Sequence, residues 1–149
     1  MRAVIQRVSN ASVTIHGEMI SAISTGFMVL LGVEIEDTQE DAEWLARKIA
    51  QLRVFSDEAG LMNKELKDVD GEIMVVSQFT LHASYKKGNR PSFIKAAKPD
   101  LAIPLFEFFK AEMAKSGLKI ESGIFGADMK VAISNDGPVT IVMDSITKK

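Results

Sequence analysis

Strand-like stretches outnumber helical ones along this sequence, and the imbalance limits the folds that the chain can adopt. Residues 11–15 alternate so that Val13 and Ile15 share one face, as in a half-buried strand. Pairs such as Thr25-Gly26 and the turn at residues 16–18 separate neighbouring candidates. The other strand candidates cover residues 3–8, the stretch between those two turns, and residues 27–35, 72–79, 118–122, 129–134 and 139–143.

Two segments carry the 3.6-residue apolar period of a helix. Thr38 and Asp41 form a capping signal before the first, and Asp100 can cap the second. Pro104 is tolerable only within the first turn of that second helix, which Gly117 is expected to end. The apolar stripes are Ala42, Leu45, Ala46, Ile49 and Leu52 in the first helix, and Ala102, Leu105, Phe106, Phe109 and Met113 in the second. Together with the strands they predict an α+β fold, a curved, largely antiparallel, barrel-like sheet with two main helices.

Composition narrows the classes of protein. A chain of 149 residues is expected to form one domain, residues 1–149. The sequence has no cysteine, which excludes disulfides and thiolate chemistry, and its net charge of -2 gives no overall field to attract nucleic acid. The longest apolar run, residues 27–33, is too short to span a membrane, and Arg7 interrupts any signal peptide. We expect a cytoplasmic protein with no membrane association.

The stretch SQFTL, residues 77–81, is the most suggestive for chemistry. It turns abruptly from an apolar strand to hydroxyl and amide side chains, although a polar strand end bonded to local backbone has the same pattern. On a strand, Thr80 and His82 would share a face, so a Thr–His nucleophile pair is conceivable. No nearby carboxylate orients His82, and the other histidine, His16, lies in an expected exposed turn. No metal-binding pattern is present, and no cofactor is expected.

Two further stretches stand out. YKKGNRPSF, residues 85–93, places Lys86, Lys87 and Arg90 between aromatic residues, a pattern suited to phosphates and bases but also typical of solvated loops. NDGPVTI, residues 135–141, begins as a hairpin turn between the last two strands. Its Gly137-Pro138 peptide is not needed for such a turn.

SQFTL and NDGPVT together resemble motifs of the D-aminoacyl-tRNA deacylases, of the D-tyrosyl-tRNA deacylase type. The resemblance extends to IQRVSNASV near the N-terminus, FSDEAGLMN, RPSF at residues 90–93 and GIFGADM at residues 123–129. These segments follow the order of the family and span nearly the whole chain. His82 is not part of the pattern.

The resemblance implies a homodimer whose active site lies at the subunit interface. It also implies that Gly137-Pro138 is a cis peptide inserted into the pocket of the partner subunit. There its carbonyls would accept hydrogen bonds from the α-ammonium group of the substrate, and an L side chain would meet rigid backbone. Arg7 resembles the family residue that supports this motif, although a strand-end ion pair is an equally good interpretation.

The implied reaction is hydrolysis of the ester between a D-amino acid and the terminal adenosine of tRNA, extending to glycine mischarged on tRNA-Ala. The 2′-hydroxyl of the terminal ribose would help to activate water, so that positioning replaces a catalytic triad. Ser77 would orient the ribose or the water, and the backbone amides of Gln78, Phe79 and Thr80 would recognise the carbonyl. Thr80 is expected to position rather than attack. The expected pocket lining, for which core packing is the alternative, is Phe125, Ala127 and Met129.

Lys86, Lys87 and Arg90 are the expected tRNA contacts. Two other functions stay open at this point. One is a nucleic-acid-binding module without catalysis, which the net charge of -2 disfavours. The other is a hydrolase of free D-amino-acid esters, which would be indifferent to the body of the tRNA.

Overall fold

The computed structural model describes residues 1–148, and its centre is a six-stranded sheet. Its strands are β1 Arg2–Ile15, β2 Glu18–Ile23, β3 Gly26–Gly32, β6 Glu72–Ser77, β7 Lys119–Ser122 and β8 Lys130–Asp144. The strand order is β2-β1-β3-β6-β7, and β8 pairs with the other edge of β1. The helices are α1 Gln39–Ala50 and α2 Pro99–Ala114, with short 3-10 helices at Leu66–Val69 and Phe79–His82.

The sheet contains both antiparallel and parallel strand pairs, and the segments that connect the strands explain which is which. β1 is antiparallel to β2, β3 and β8. The pairs β3–β6 and β6–β7 are parallel, because α1 lies between β3 and β6 in the chain and α2 lies between β6 and β7. The sheet curves into a nearly closed barrel, so the predicted α+β class and its barrel-like sheet are confirmed.

Two long strands, β1 and β8, cover the residues that were expected to form four short strands. The expected separate strands at residues 3–8 and 11–15 are one strand, β1, because its first half pairs with β3 and its second half with β2. The hairpin turn expected at residues 135–137 is wrong as well. Those residues lie inside β8, which pairs with β1 along almost its whole length.

β8 nevertheless has a wide bulge at its middle. Gln6 faces Thr140, and Val8 faces Asn135, so residues 136–139 lie opposite Arg7 alone. We call residues 136–139 the β8 bulge. It contains the Gly137-Pro138 peptide.

The helices follow the sequence closely, with two differences at α2. The capping box predicted at Thr38 and Asp41 is present, and the stripe residues within α1 are buried. Leu52, expected to continue that stripe, lies beyond the end of the helix and is half-buried. α2 begins at Pro99 after Lys98, so Asp100 is not its cap but an acidic residue of its first turn, where it complements the helix dipole. Pro104 lies beyond that turn, inside the helix. The chain leaves α2 at Ala114 and reaches Gly117 through a turn.

Residues 54–70 contain short elements of their own. β4 Phe55–Ser56 and β5 Met62–Lys64 form a separate two-stranded sheet. We call residues 53–64 the β4–β5 hairpin.

The two faces of the main sheet bury different clusters. Phe27, Val29 and Leu31 of β3 pack toward the two helices, whereas Met28 of the same strand packs in a cluster with Val8 and Val13. This is the alternation expected of a strand covered on both faces. No helix within residues 1–148 is long and apolar enough to span a membrane.

Candidate active site

A cavity of about 320 Å³ opens where β3 and β6 end. Six of the residues that the sequence places at a site line it together, from the end of β6 and from the loop before β8. They are Ser77, Gln78, Phe79, Phe125, Ala127 and Met129. The remaining wall includes Leu31 from β3, Val33 just after it, Ala97 and Ala102 near the start of α2, and Val131 from β8. The volume of the cavity lies at the small end of the range of ligand-binding pockets.

Backbone contacts fix the chain after β6. The amide of Gln78 donates to the carbonyl of Leu31 over 2.8 Å, which continues the β3–β6 ladder. That amide is therefore unavailable to a substrate, contrary to the expectation for Gln78. The amides of Phe79 and Thr80 donate to no backbone carbonyl in the described residues. Of the three expected amides, these two are free to recognise a carbonyl.

Thr80 and His82 do not form a nucleophile pair. Residues Phe79–His82 are a 3-10 helix rather than a strand end, so a spacing of two residues does not place side chains on one face. Thr80 is exposed, and its hydroxyl accepts a hydrogen bond from the side-chain amide of Gln78. His82 is buried against Gly32.

Arg2 also contacts this short 3-10 helix, and the sequence did not predict that Arg2 belongs to the site. Its Nη1 donates to the carbonyl of Leu81 over 2.7 Å, while its Nε and Nη2 donate to Asp144 over 3.2 and 3.1 Å. Burial acts to raise the pKa of the Asp144 carboxyl. Hydrogen bonds from the amide of Thr147, from Arg2 and from the amide of Ile146 outweigh it and lower that pKa below its usual value. No local sequence pattern signals these contacts, because they join the two ends of the chain to its middle.

A basic segment adjoins the cavity. Residues 84–98 contain five cationic side chains and no acidic one. Ser84 and Ser92 exchange backbone hydrogen bonds of 2.8 Å that close a loop, and Phe79 meets Phe93 edge-on at 5.1 Å, which attaches the loop to the cavity wall. The five cations are all exposed and form no ion pair within the described residues: Lys86, Lys87, Arg90, Lys95 and Lys98.

The Gly137-Pro138 peptide is cis, as the resemblance implies, and both residues are exposed on the β8 bulge. Arg7, opposite the bulge, donates from Nε to the carbonyl of Asp136 over 3.0 Å and from Nη1 to the carbonyl of Val54 over 2.5 Å. Its Nη2 lies so close to Gly137 that an added Cβ would be 2.9 Å away. Arg7 also forms an ion pair with the Asp136 carboxylate at 3.7 Å, so both interpretations of this residue describe real contacts.

Within one chain, the bulge and the cavity lie apart. Arg7 pairs with Phe27 at the start of β3, whereas Leu31, four residues or about 13 Å along that strand, lines the cavity. Val131 of β8 lines the cavity too, and Gly137 follows it by six residues, or about 20 Å of extended strand. Gly137 and Pro138 do not line the cavity of their own chain.

The sequence is similar to those of known proteins over nearly its whole length. The sequence profile described as D-Tyr-tRNA(Tyr) deacylase matches residues 4–144. A protein named D-aminoacyl-tRNA deacylase from Flavobacterium johnsoniae is 62% identical over 146 residues, covering 97% of both chains. One of the same name from Phocaeicola vulgatus is 61% identical over 150 residues and covers 100% of both chains.

Solved structures share the fold. One described as c-Myc DNA Unwinding Element Binding Protein is 48% identical, with a TM-score of 0.90 over 97% of this chain and 98% of its own. Another, described as a probable eukaryotic D-amino acid tRNA deacylase, is 15% identical, with a TM-score of 0.79 over 95% of this chain and 97% of its own; that likeness concerns the fold alone. The matching profile and the highly identical relatives show that this chain belongs to the D-Tyr-tRNA(Tyr) deacylase family of ester hydrolases.

Proposed function

We propose that this chain hydrolyses the ester of D-aminoacyl-tRNA, with its cavity holding the aminoacyl end of the tRNA. The observation that supports this most is the convergence of Ser77 and Phe79, whose amide is free, at one cavity next to an exposed cationic segment. Thr80, whose amide is also free, follows Phe79 directly but does not line the cavity. Amides fixed in place can stabilise the oxyanion that forms when water attacks an ester carbonyl. The Ser77 hydroxyl orients the ribose or the attacking water.

The substrate itself supplies the base in this proposal. The cavity lining contains no histidine, and its one carboxylate, Asp128, is 88% exposed. Thr80 is tied to the Gln78 side chain, which suits a positioning role better than a nucleophilic one. The 2′-hydroxyl of the terminal ribose then activates the water, so that hydrolysis depends on the tRNA end as well as on the protein.

Chirality is enforced across a dimer interface in this proposal. Gly137 and Pro138 are exposed and line no part of their own cavity, which supports their insertion into the cavity of a second copy. The carbonyls of Gly137 and Pro138 would bind the α-ammonium group and leave no room for an L side chain. Glycine has no side chain, so glycyl-tRNA, including glycine mischarged on tRNA-Ala, is accepted too.

The basic segment binds the tRNA. Lys86, Lys87 and Arg90 lie at the exposed tip of the loop, and Lys95 and Lys98 continue the charge toward α2. Five cations with no carboxylate partner among residues 1–148 give a local positive field that the net charge of -2 conceals. Phosphates of the acceptor end would neutralise them.

A second candidate function is nucleic-acid binding without catalysis, favoured by the name of the 48% identical structure. A third, hydrolysis of small D-amino-acid esters, needs only the cavity. The deciding experiment incubates substoichiometric protein with D-tyrosyl-tRNA, L-tyrosyl-tRNA and the ethyl ester of D-tyrosine. We expect rapid multiple turnover of D-tyrosyl-tRNA alone.

Binding of tRNA without turnover would overturn the proposal in favour of the second function. Equal rates on the ethyl ester would favour the third. Two refinements test the mechanism. Thr80→Ala should keep appreciable activity, whereas D-tyrosyl-tRNA with a terminal 2′-deoxyribose should react far more slowly.

A further inference from the structure

The β4–β5 hairpin contacts the arginine that also holds the β8 bulge. Its first residues present the carbonyl of Val54 to Arg7, and the same guanidinium holds the carbonyl of Asp136 in the β8 bulge. We propose that the β4–β5 hairpin is a specificity-determining support, which sets the position of Gly137-Pro138 through Arg7. The inference rests on the chiral function proposed for that peptide.

Arg7 is placed to transmit position in this way. Its side chain is only 12% exposed, and its planar guanidinium directs different nitrogens at the two carbonyls. A shift of the Val54 carbonyl would therefore move or release Nη1 and change the direction of Nε. Gly137 lies against Nη2, so the bulge would shift with the guanidinium.

Within residues 1–148 no strand pairing joins the hairpin to the main sheet, so other contacts have to hold it in place. Phe55 is buried and stacks on Phe27 at 5.2 Å. At the open end, Arg53 donates to the carbonyl of Asn63 over 2.8 Å and to its side-chain oxygen over 3.2 Å. These contacts fix the strand on which Val54 lies.

Asp57 closes the other end. One of its carboxylate oxygens accepts from the amides of Ala59 and Leu61, both over 2.9 Å, and the other accepts from the side chain of Asn63 over 2.9 Å. The hydrogen bond from Asn63, followed by those from the backbone, lowers the pKa of the Asp57 carboxyl. Asp57 therefore determines the shape of a hairpin that contains none of the residues lining the cavity.

The test compares Asp57→Ala and Arg53→Ala, which loosen the hairpin at opposite ends, with Arg7→Lys, which cannot hold both carbonyls. Glu58→Gln is the matched control, because Glu58 is an exposed neighbour of Asp57 that forms an ion pair with Lys64. The readout is the ratio of deacylation rates for D-alanyl-tRNA and L-alanyl-tRNA. Circular dichroism and sizing establish that each variant is folded.

We expect the ratio to fall at least about tenfold in both hairpin variants and in Arg7→Lys, and to stay unchanged in Glu58→Gln. A purely structural hairpin would lower both rates together and leave the ratio intact, which would overturn the inference. If Arg7→Lys lowers the ratio and folded hairpin variants do not, the hairpin is not the support although the chiral function stands. If no variant changes the ratio, both are refuted.

Discussion

The guanidinium of Arg2 and the backbone carbonyl of Leu81 lie 2.7 Å apart, in hydrogen-bond contact between the first strand and the short helix that follows β6. Asp144, near the end of β8, holds the other edge of that guanidinium. Three parts of the chain far apart in sequence thus converge on the segment that carries Phe79 and Thr80. The position of the two free amides depends on this junction.

Arg2→Ala should therefore impair catalysis more than binding. A hydrogen bond to a charged group contributes about 1.5–3 kcal/mol, so we expect kcat to fall roughly tenfold to a hundredfold while KM changes little. Single-turnover and steady-state deacylation of D-tyrosyl-tRNA measure this. Arg47→Ala removes the same charge from an exposed position on α1 and should behave as the unsubstituted protein. Full activity of the Arg2 variant would contradict the assigned role.

Low pH should weaken the contact between Arg2 and Asp144. The pKa of Asp144 in the folded chain lies below its usual value of 3.8, so the folded state binds the proton less readily than the unfolded state. The stabilisation is complete above the unfolded pKa and is lost as pH falls through the folded pKa. Urea unfolding at several pH values from about pH 6 downward should show the loss from about pH 4, and Asp144→Asn should flatten it. A variant with the unaltered acid dependence would contradict this.

Gly26 is expected to be irreplaceable at the β3–β6 pairing. It faces Glu72, and a Cβ added to it would overlap the carbonyl oxygen of that residue. Because backbone on both strands would have to move, Gly26→Ala should cost about 3 kcal/mol or more, or prevent folding. Gly88→Ala, in the exposed loop with nothing within 4 Å of an added Cβ, is the control, and should cost about 1 kcal/mol. Denaturant unfolding of both variants tests the comparison.

The features of α1 that were predicted correctly depend on local sequence signals. The capping box of Thr38 and the stripe of α1 depend on residues three or four apart, so they are legible in sequence. The hairpin turn at residues 135–137 was wrong because pairing with β1 overrides a local turn preference, and the surplus residues bulge instead. The contact of Arg2 with the carbonyl of Leu81 and that of Arg7 with the carbonyl of Val54 could not be predicted, since any residue type supplies a carbonyl.

Binding of tRNA should depend on salt through the basic segment. Each cation that neutralises a phosphate contributes about 0.7–0.9 to the slope of log K against log salt concentration. Lys87→Ala and Arg90→Ala should each weaken binding and reduce that slope by about this amount. Lys48→Ala, on the exposed face of α1, should not. Slopes that remain unchanged in both loop variants, measured by fluorescence anisotropy with uncharged tRNA, would place the tRNA elsewhere.

The decisive test of the interface site is complementation between two inactive chains. Ala127→Trp should fill the cavity, and Gly137→Val should push the bulge off Arg7, because even a Cβ at Gly137 would be 2.9 Å from its Nη2. Each homodimer would then lack one half of every site. In a heterodimer, one site combines the intact cavity of the Gly137→Val chain with the intact bulge of the Ala127→Trp chain.

Random re-association of equal amounts makes half of the dimers mixed, with one good site of two, so about a quarter of the original sites should return. We would denature the two variants together, refold them and measure D-tyrosyl-tRNA deacylation beside each variant refolded alone. Sizing should show dimers in all three samples. If cavity and bulge acted within one chain, the mixture would stay as inactive as its components, because every chain carries one damaged half. Recovery of about a quarter of the activity requires that the bulge of one subunit complete the cavity of the other.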